Sequence, residues 1–225
     1  MKIHIKPAGP IQTNAYLLTE PKTGEAVLVD APLGITDIIR PILAQEGCKL
    51  TELWLTHGHF DHMQDAARLK RELGVRVTAH REDQPLIETP EIMEGFMGAK
   101  LGLEGVKVDR WVGQGDKLAA LGREFEVRHV PGHCPGNILF YHAEAPASAE
   151  ASARPAGVAF VGDALFNGGV GRWDLPGGDF EMLAKSIRDQ IYTLPEETVV
   201  FPGHGPRTTV GAEKSGNPYV TAIAS

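Results

Sequence analysis

A short segment rich in histidine, Thr56-His57-Gly58-His59-Phe60-Asp61-His62, restricts the possible folds more than any other part of the chain. This histidine segment follows the apolar run Leu53-Trp54-Leu55, which predicts a buried strand, and precedes residues with helical spacing. In an extended segment the side chains of His57 and His59 point the same way, while Asp61 and His62 enter the helix. Because three of the nine histidines lie within six positions, a chance cluster at a turn is a poor explanation. The segment predicts a metal site at a strand-to-helix junction.

Three more potential ligands each follow an apolar run and a glycine. His133 comes after Val130-Pro131-Gly132, Asp163 after 159–162, and His204 after 200–203. Each alone is typical of a turn, but side chains at several strand ends would form one site with the histidine segment. A hard carboxylate mixed with imidazoles suits zinc, iron or manganese better than calcium or magnesium.

The rest of the chain alternates predicted strands and helices, which indicates an α/β fold. The patterns predict strands at 13–19, 25–30, 50–55, 75–79, 117–121, 124–130, 137–142, 158–162 and 198–201. They predict helices at 36–45, with Thr36 as a cap, at 61–73 and at 180–191, and a loose helical excursion within 81–107. A length of 225 residues fits one large domain, 1–225, better than two small ones. The Ala-, Ser- and Pro-rich stretch 143–157 predicts a long flexible hairpin insertion.

Charge and composition favour a small-molecule substrate over nucleic acid or a membrane as the partner. The net charge of −7 gives no general attraction to phosphate backbones. No apolar stretch is long enough to cross a bilayer, and the first residues lack the pattern of a signal peptide, so we expect a cytoplasmic protein. Two cysteines, Cys48 and Cys134, are too few for a disulfide framework, and we expect both to be reduced. Nothing in the sequence indicates the oligomeric state.

The ordered motifs HxHxDH, PGH, GD and PGHG resemble the metallo-β-lactamase superfamily, and within it the short bacterial glyoxalase II-like hydrolases. The resemblance extends to 168–172, to Asp174 and to Asn217-Pro218. It implies a four-layer αββα sandwich with two metal ions at one edge. By matching motif, it implies three groups of ligands: His57, His59 and His133 on the first metal, Asp61, His62 and His204 on the second, and Asp163 bridging both.

Three other residues have a role suggested by the resemblance or by their position, each beside a plainer alternative. Asp30 matches an acidic position that supports the metal ligands by hydrogen bonding, although it also fits a turn residue that caps a strand. Arg172 is a candidate for binding an anionic substrate group, and a surface salt bridge explains it equally well. Cys134 follows a ligand directly, and we interpret it as a small, partly buried packing residue rather than a nucleophile.

The resemblance implies a thioester hydrolase that uses two divalent metal ions, with zinc preferred and iron or manganese as alternatives. A hydroxide shared by the metals would attack the substrate carbonyl, and Asp61 would orient it or accept its proton. The expected substrate is a thioester such as S-D-lactoylglutathione. Long glyoxalase II enzymes carry a C-terminal helical domain with glutathione-binding residues, whereas 21 residues follow His204 here, so we expect loose glutathione binding or a smaller substrate.

Other functions remain open at this point. The first is a persulfide dioxygenase with a single iron, which shares this fold and would consume oxygen. The second is a different hydrolase, such as a lactonase, a β-lactamase or a nuclease, although the acidic charge disfavours a nuclease. Flavodiiron-type electron transfer and metal storage fit the ligand pattern less well.

Overall fold

The computed structural model describes residues 1–98, 100–143 and 157–221, and its elements fall into two compact units. The first unit consists of Met1–Val112 and Ala119–Gly122, and the second of Gly113–Leu118 and Arg123–Ser225. The insertion expected at 143–157 lies outside the described residues, apart from its two end positions. That the whole chain forms one domain stays a prediction.

Within the described residues, the first unit contains a six-stranded sheet whose strands follow the order of the chain. The strands are β1 (Lys2–Ala8), β2 (Thr13–Glu20), β3 (Glu25–Val29), β4 (Lys49–Trp54), β5 (Arg76–His80) and β6 (Arg110–Val112). Strands β1 to β3 pair antiparallel, and β3 to β6 pair parallel. The carboxyl ends of β3, β4 and β5 therefore lie at one edge, where Asp30 and the histidine segment follow directly.

Helices connect the parallel strands of this unit, as parallel pairing requires a crossover. They are α1 (Ile35–Glu46), α2 (Phe60–Met63), α3 (Ala66–Leu73), α4 (Gln84–Glu88) and α5 (Glu91–Met97). Leu28, Leu53 and Val77 from the sheet are fully buried in one apolar core with Ile39 of α1 and Leu69 of α3. The apolar spacing that predicted these elements thus reflects one shared core.

Two local predictions in this unit are wrong. The helix expected at 61–73 is broken between α2 and α3, because the backbone N–H of Asp65 donates to Ala31 O at 2.9 Å instead of continuing the helix. Thr36 is not the cap of α1, since that position is Gly34, with a left-handed φ of 84°. The Asp65 carboxylate accepts the Thr36 N–H at 2.9 Å and so caps α1 from another element.

The second unit contains another sheet, with the order β14-β13-β10-β9-β8-β7 among the described residues. Its strands are β7 (Lys117–Ala120, of which Ala119 and Ala120 are assigned to the first unit), β8 (Arg123–His129), β9 (Ile138–His142), β10 (Val158–Gly162), β13 (Val199–Pro202) and β14 (Thr208–Thr209). A separate hairpin pairs β11 (Leu165–Phe166) with β12 (Gly169–Val170). Strands β10 and β13 are parallel neighbours, whereas β8, β9 and β10 pair antiparallel. Asp163 and His204, which follow β10 and β13, therefore lie at the same edge of the sheet.

The described part of this unit has two helices: α6 (Phe180–Ser186), which continues as a π-helical turn over Ile187–Ile191, and α7 (Val210–Gly216). The prediction of a helix at 180–191 is therefore confirmed. Leu183 and Ile187 are fully buried against Val161 and Val200 of the sheet. Among the described residues, no helix combines the length and the apolar character that a membrane span requires.

Candidate metal centre

The seven predicted ligands divide between the two units, with four in the first and three in the second. In the first unit, the rings of the histidine segment lie together. The ring centroids of His57 and His59 are 4.8 Å apart, and those of His57 and His62 are 4.0 Å apart. His59 has an extended backbone and occupies the cap position of α2, which puts Asp61 and His62 in its first turn. The change from strand to helix is what brings the side chains to one place.

Buried hydrogen bonds determine which nitrogen of two rings carries the proton. Asp30, 1 % exposed and with a left-handed φ of 61°, accepts hydrogen bonds from Thr56 N and Thr56 Oγ1, both at 2.8 Å. His62 Nδ1 lies 2.8 Å from the same carboxylate, so it carries a proton and donates. Because the Thr56 hydroxyl donates to Asp30, His57 Nδ1 must donate to Thr56 Oγ1, 3.1 Å away. Nε2 is therefore the lone-pair nitrogen of both rings.

Thr13, which sequence analysis did not identify, holds the carboxylate of the segment. The fully buried Thr13 hydroxyl donates to Asp61 Oδ2 at 2.6 Å, and that oxygen lies 3.2 Å from His62 Nε2. Two ligand atoms, each about 2.1 Å from one tetrahedral zinc ion, are separated by about 3.4 Å. The pair Asp61 and His62 thus has the spacing of two ligands on one cation. No local pattern marks Thr13, because it precedes Asp61 by 48 positions.

In the second unit, Asp163 lies between two imidazoles. Its Oδ2 atom is 3.7 Å from His133 Nε2 and 3.5 Å from His204 Nε2, again close to the spacing expected of ligands that share a cation. His133 Nδ1 is 2.7 Å from the carbonyl oxygen of Arg172, to which it must donate, so Nε2 is its lone-pair nitrogen. One carboxylate oxygen near two histidines is the geometry expected of a bridging ligand.

The glycine-rich stretch 168–172 packs closely on these ligands. A Cβ atom at Gly171 would overlap the carbonyl oxygen of Asp163 and lie 2.9 Å from His133 Nδ1. The close approach allows the next residue to present its carbonyl oxygen to His133. The close packing of the backbone thus requires glycine at position 171, which is one of the residues on which the family resemblance rests.

The structure places Arg172 and Cys134 differently from the ligands. The side chain of Arg172 is 67 % exposed and bonds both oxygens of Asp174, at 2.9 and 3.0 Å, which raises the pKa of Arg172 and lowers the pKa of Asp174. Its predicted contact with an anionic substrate stays a prediction, whereas its carbonyl oxygen already orients His133. Cys134 is fully buried rather than partly buried.

The atoms that could bind a metal, imidazole nitrogens and carboxylate oxygens, suit divalent ions such as zinc and iron. Among the predicted ligands, His57, His62 and His133 each use Nδ1 for a hydrogen bond to the protein and so present Nε2 as the lone pair, which is the arrangement typical of metal-binding histidines. The accompanying donors are carboxylate oxygens at ligand spacing. This mixture of imidazole and carboxylate matches the hypothesis from sequence.

Comparisons with known proteins agree with this chemistry. The model of the metallo-beta-lactamase superfamily matches residues 8–204. The hydroxyacylglutathione hydrolase GloC of Haemophilus influenzae is 36% identical over 228 residues, which cover 99% of each chain. The crystal structure of BLEG-1 B3 metallo-beta-lactamase has a TM-score of 0.84 at 33% identity and covers 98% of this chain and 100% of that one. The crystal structure of TTHA1623 in a di-iron-bound form has a TM-score of 0.78 at 35% identity and covers 96% and 100%.

The family match spans most of the chain, and these relatives align with it almost from end to end. The predicted α/β architecture of the metallo-β-lactamase fold is therefore confirmed, and so is the resemblance seen in the motifs. The chain belongs to the metallo-β-lactamase superfamily and is a metal-binding hydrolase of that family.

Proposed function

We propose that the seven predicted ligands hold two divalent cations. The first cation would be held by His57, His59 and His133, the second by Asp61, His62 and His204, with Asp163 bridging. The proposal is supported by the ligand spacing inside each unit and by the position of Asp163 Oδ2 near two imidazoles. Zinc is the preferred metal, and iron is a strong alternative because the similar TTHA1623 has a di-iron-bound form.

When bound, such a pair of cations would lower the pKa of a bound water to about 7 and polarise a carbonyl oxygen. The protein supplies the orientation of the donors. Asp30 and Thr56 keep His57 and His62 in the tautomer with the lone pair on Nε2. The Thr13 hydroxyl holds Asp61, whose carboxylate would orient the attacking water or accept its proton.

The proposed substrate is a thioester, with S-D-lactoylglutathione as the first choice. The observation that carries this choice is the 36% identity to a hydroxyacylglutathione hydrolase over 99% of both chains. Thioester hydrolysis consumes water and releases a carboxylate and a free thiol, which a centre that binds and activates water can perform. The proposal includes a small molecule as the partner, no nucleic acid or membrane, and a cytoplasmic location.

The test combines elemental analysis of the purified protein with a hydrolysis screen of thioesters, lactones and β-lactams. We expect about two zinc or iron ions per chain and release of free thiol from lactoylglutathione. His59→Ala should lose metal and turnover together, whereas His4→Ala, a histidine bonded to Thr19 outside the centre, should retain both. Full activity of His59→Ala in the presence of a chelator would contradict the proposal.

The same screen separates the alternatives. Hydrolysis of lactones alone would indicate a lactonase, and hydrolysis of β-lactams would match BLEG-1, a B3 metallo-β-lactamase. One iron per chain, with oxygen uptake in the presence of glutathione persulfide, would indicate the persulfide dioxygenase expected as the first alternative.

A further inference from the structure

We propose that Asp83 is a positioning residue for the metal ligands His57 and His59, an inference that rests on the proposed metal centre. Asp83 lies after β5, 25 positions away from the residue between the two ligands. Its side chain is fully buried, and Oδ2 accepts the backbone N–H of Gly58 at 2.7 Å. That N–H belongs to the peptide unit that joins His57 to Gly58, so the bond restricts how the two imidazoles are turned relative to each other.

The carboxylate acts on the histidine segment rather than on its own helix. Asp83 occupies the cap position of α4, where an aspartate normally accepts an N–H from the first helical turn. Within the described residues of α4, the Asp83 side chain makes no such capping bond. The Asp83 side chain accepts the Gly58 N–H and does not cap α4, so this hydrogen bond stabilises the histidine segment rather than the helix.

Steric packing supports the same role. A Cβ atom at Gly58 would lie 2.7 Å from Leu86 Cβ, 3.1 Å from Ile87 Cγ1 and 3.2 Å from Asp83 Cβ. The backbone between the ligands therefore lies against Asp83 and α4 with no space for a side chain. The hydrogen bond and this contact together hold the segment.

The test measures cobalt binding to the full chain. Co²⁺ is titrated in competition with a chelator, and its visible absorption reports the ligand geometry. The affinities of both bound equivalents of Co²⁺ are measured. The equivalent that His59→Ala no longer binds is taken as the one that depends on His59. In Asp83→Ala we expect the affinity of that equivalent to fall by about 10- to 100-fold, as for other residues that orient metal ligands, and the second equivalent to change much less.

Two variants provide the controls. Asp83→Asn keeps an oxygen that can accept the Gly58 N–H, so its cobalt affinity should stay within a few-fold of the original. Asp65→Ala removes a similarly buried carboxylate, 4 % exposed, that accepts a backbone N–H at 2.9 Å but from Thr36, which is not a ligand. It should lower the melting temperature without weakening the equivalent that depends on His59.

The inference is overturned if Asp83→Ala binds both equivalents as tightly as the original, or weakens both equally. It is also overturned if Asp65→Ala or Asp83→Asn loses as much cobalt affinity as Asp83→Ala. If Asp83→Ala does not fold, Asp83→Glu replaces it, because it keeps the carboxyl group and displaces the acceptor oxygen, and it should weaken the same equivalent. An original protein that binds no cobalt would instead contradict the proposed function.

Discussion

Hydrogen bonds to the protein decide which nitrogen carries the proton in three of the predicted ligand histidines. Asp30 and Thr56 assign the protons of two imidazoles, and the carbonyl oxygen of Arg172 assigns that of His133. The ligand types could be predicted from the sequence because histidine and aspartate at strand ends form local motifs. The lone-pair nitrogens could not, since they depend on partners up to 39 positions away.

The variant Thr13→Val tests the effect of a single hydrogen bond to a ligand, at a residue that no sequence motif identified. The change keeps the shape of the side chain and removes the hydroxyl that donates to Asp61 Oδ2. We expect turnover to fall by about 10-fold or more, because partners that orient a ligand contribute that much, with a small change in melting temperature. Thr19→Val is the matched control, since Thr19 is equally buried on β2 but bonds His4. Equal losses in both variants would show that the Thr13 bond has no special role.

At the scale of elements, the predicted ligands of each unit follow strands that end at one edge of that unit's sheet. Parallel pairing of β3 with β4, and of β10 with β13, brings their carboxyl ends together in each unit. The strands that precede the predicted ligands, β4, β8, β10 and β13, were predictable from apolar runs, whereas the break between α2 and α3 was not. That break depends on the bond between Asp65 and Ala31, a tertiary contact that helical spacing does not reveal.

Gly169 in β12 and Gly171, which follows that strand, test whether close packing of this segment holds the ligands in place. In Gly171→Ala the new methyl group would overlap the Asp163 backbone, so the ligands should move. We expect metal content and turnover to fall by about 10-fold or more, as is typical when the orientation of a ligand is lost. Gly169→Ala is the control, because its Cβ would meet only Phe166, at an ordinary 3.7 Å. Metal content and turnover in Gly171→Ala equal to those of Gly169→Ala would contradict the packing argument.

For the whole molecule, the proposed centre draws ligands from position 57 to position 204, so metal binding and folding should be linked. A ligand that binds the folded state alone stabilises it by about 2.7 kcal/mol at 100 times its dissociation constant. Treatment with a chelator should therefore lower the melting temperature, and added zinc should restore it. His59→Ala should show a smaller shift. An identical melting curve with and without metal would argue against the proposed metal centre.

The family and the ligand types follow from short stretches of sequence, because each motif needs only a strand, a turn and a few side chains. HxHxDH, PGH, GD and PGHG were therefore sufficient to predict the fold that the comparisons confirm. The supporting roles of Thr13 and Asp83 became visible in the folded chain alone. Hydrogen bonds between segments 48 and 25 positions apart leave no periodicity or local motif, since they exist only once the strands are packed.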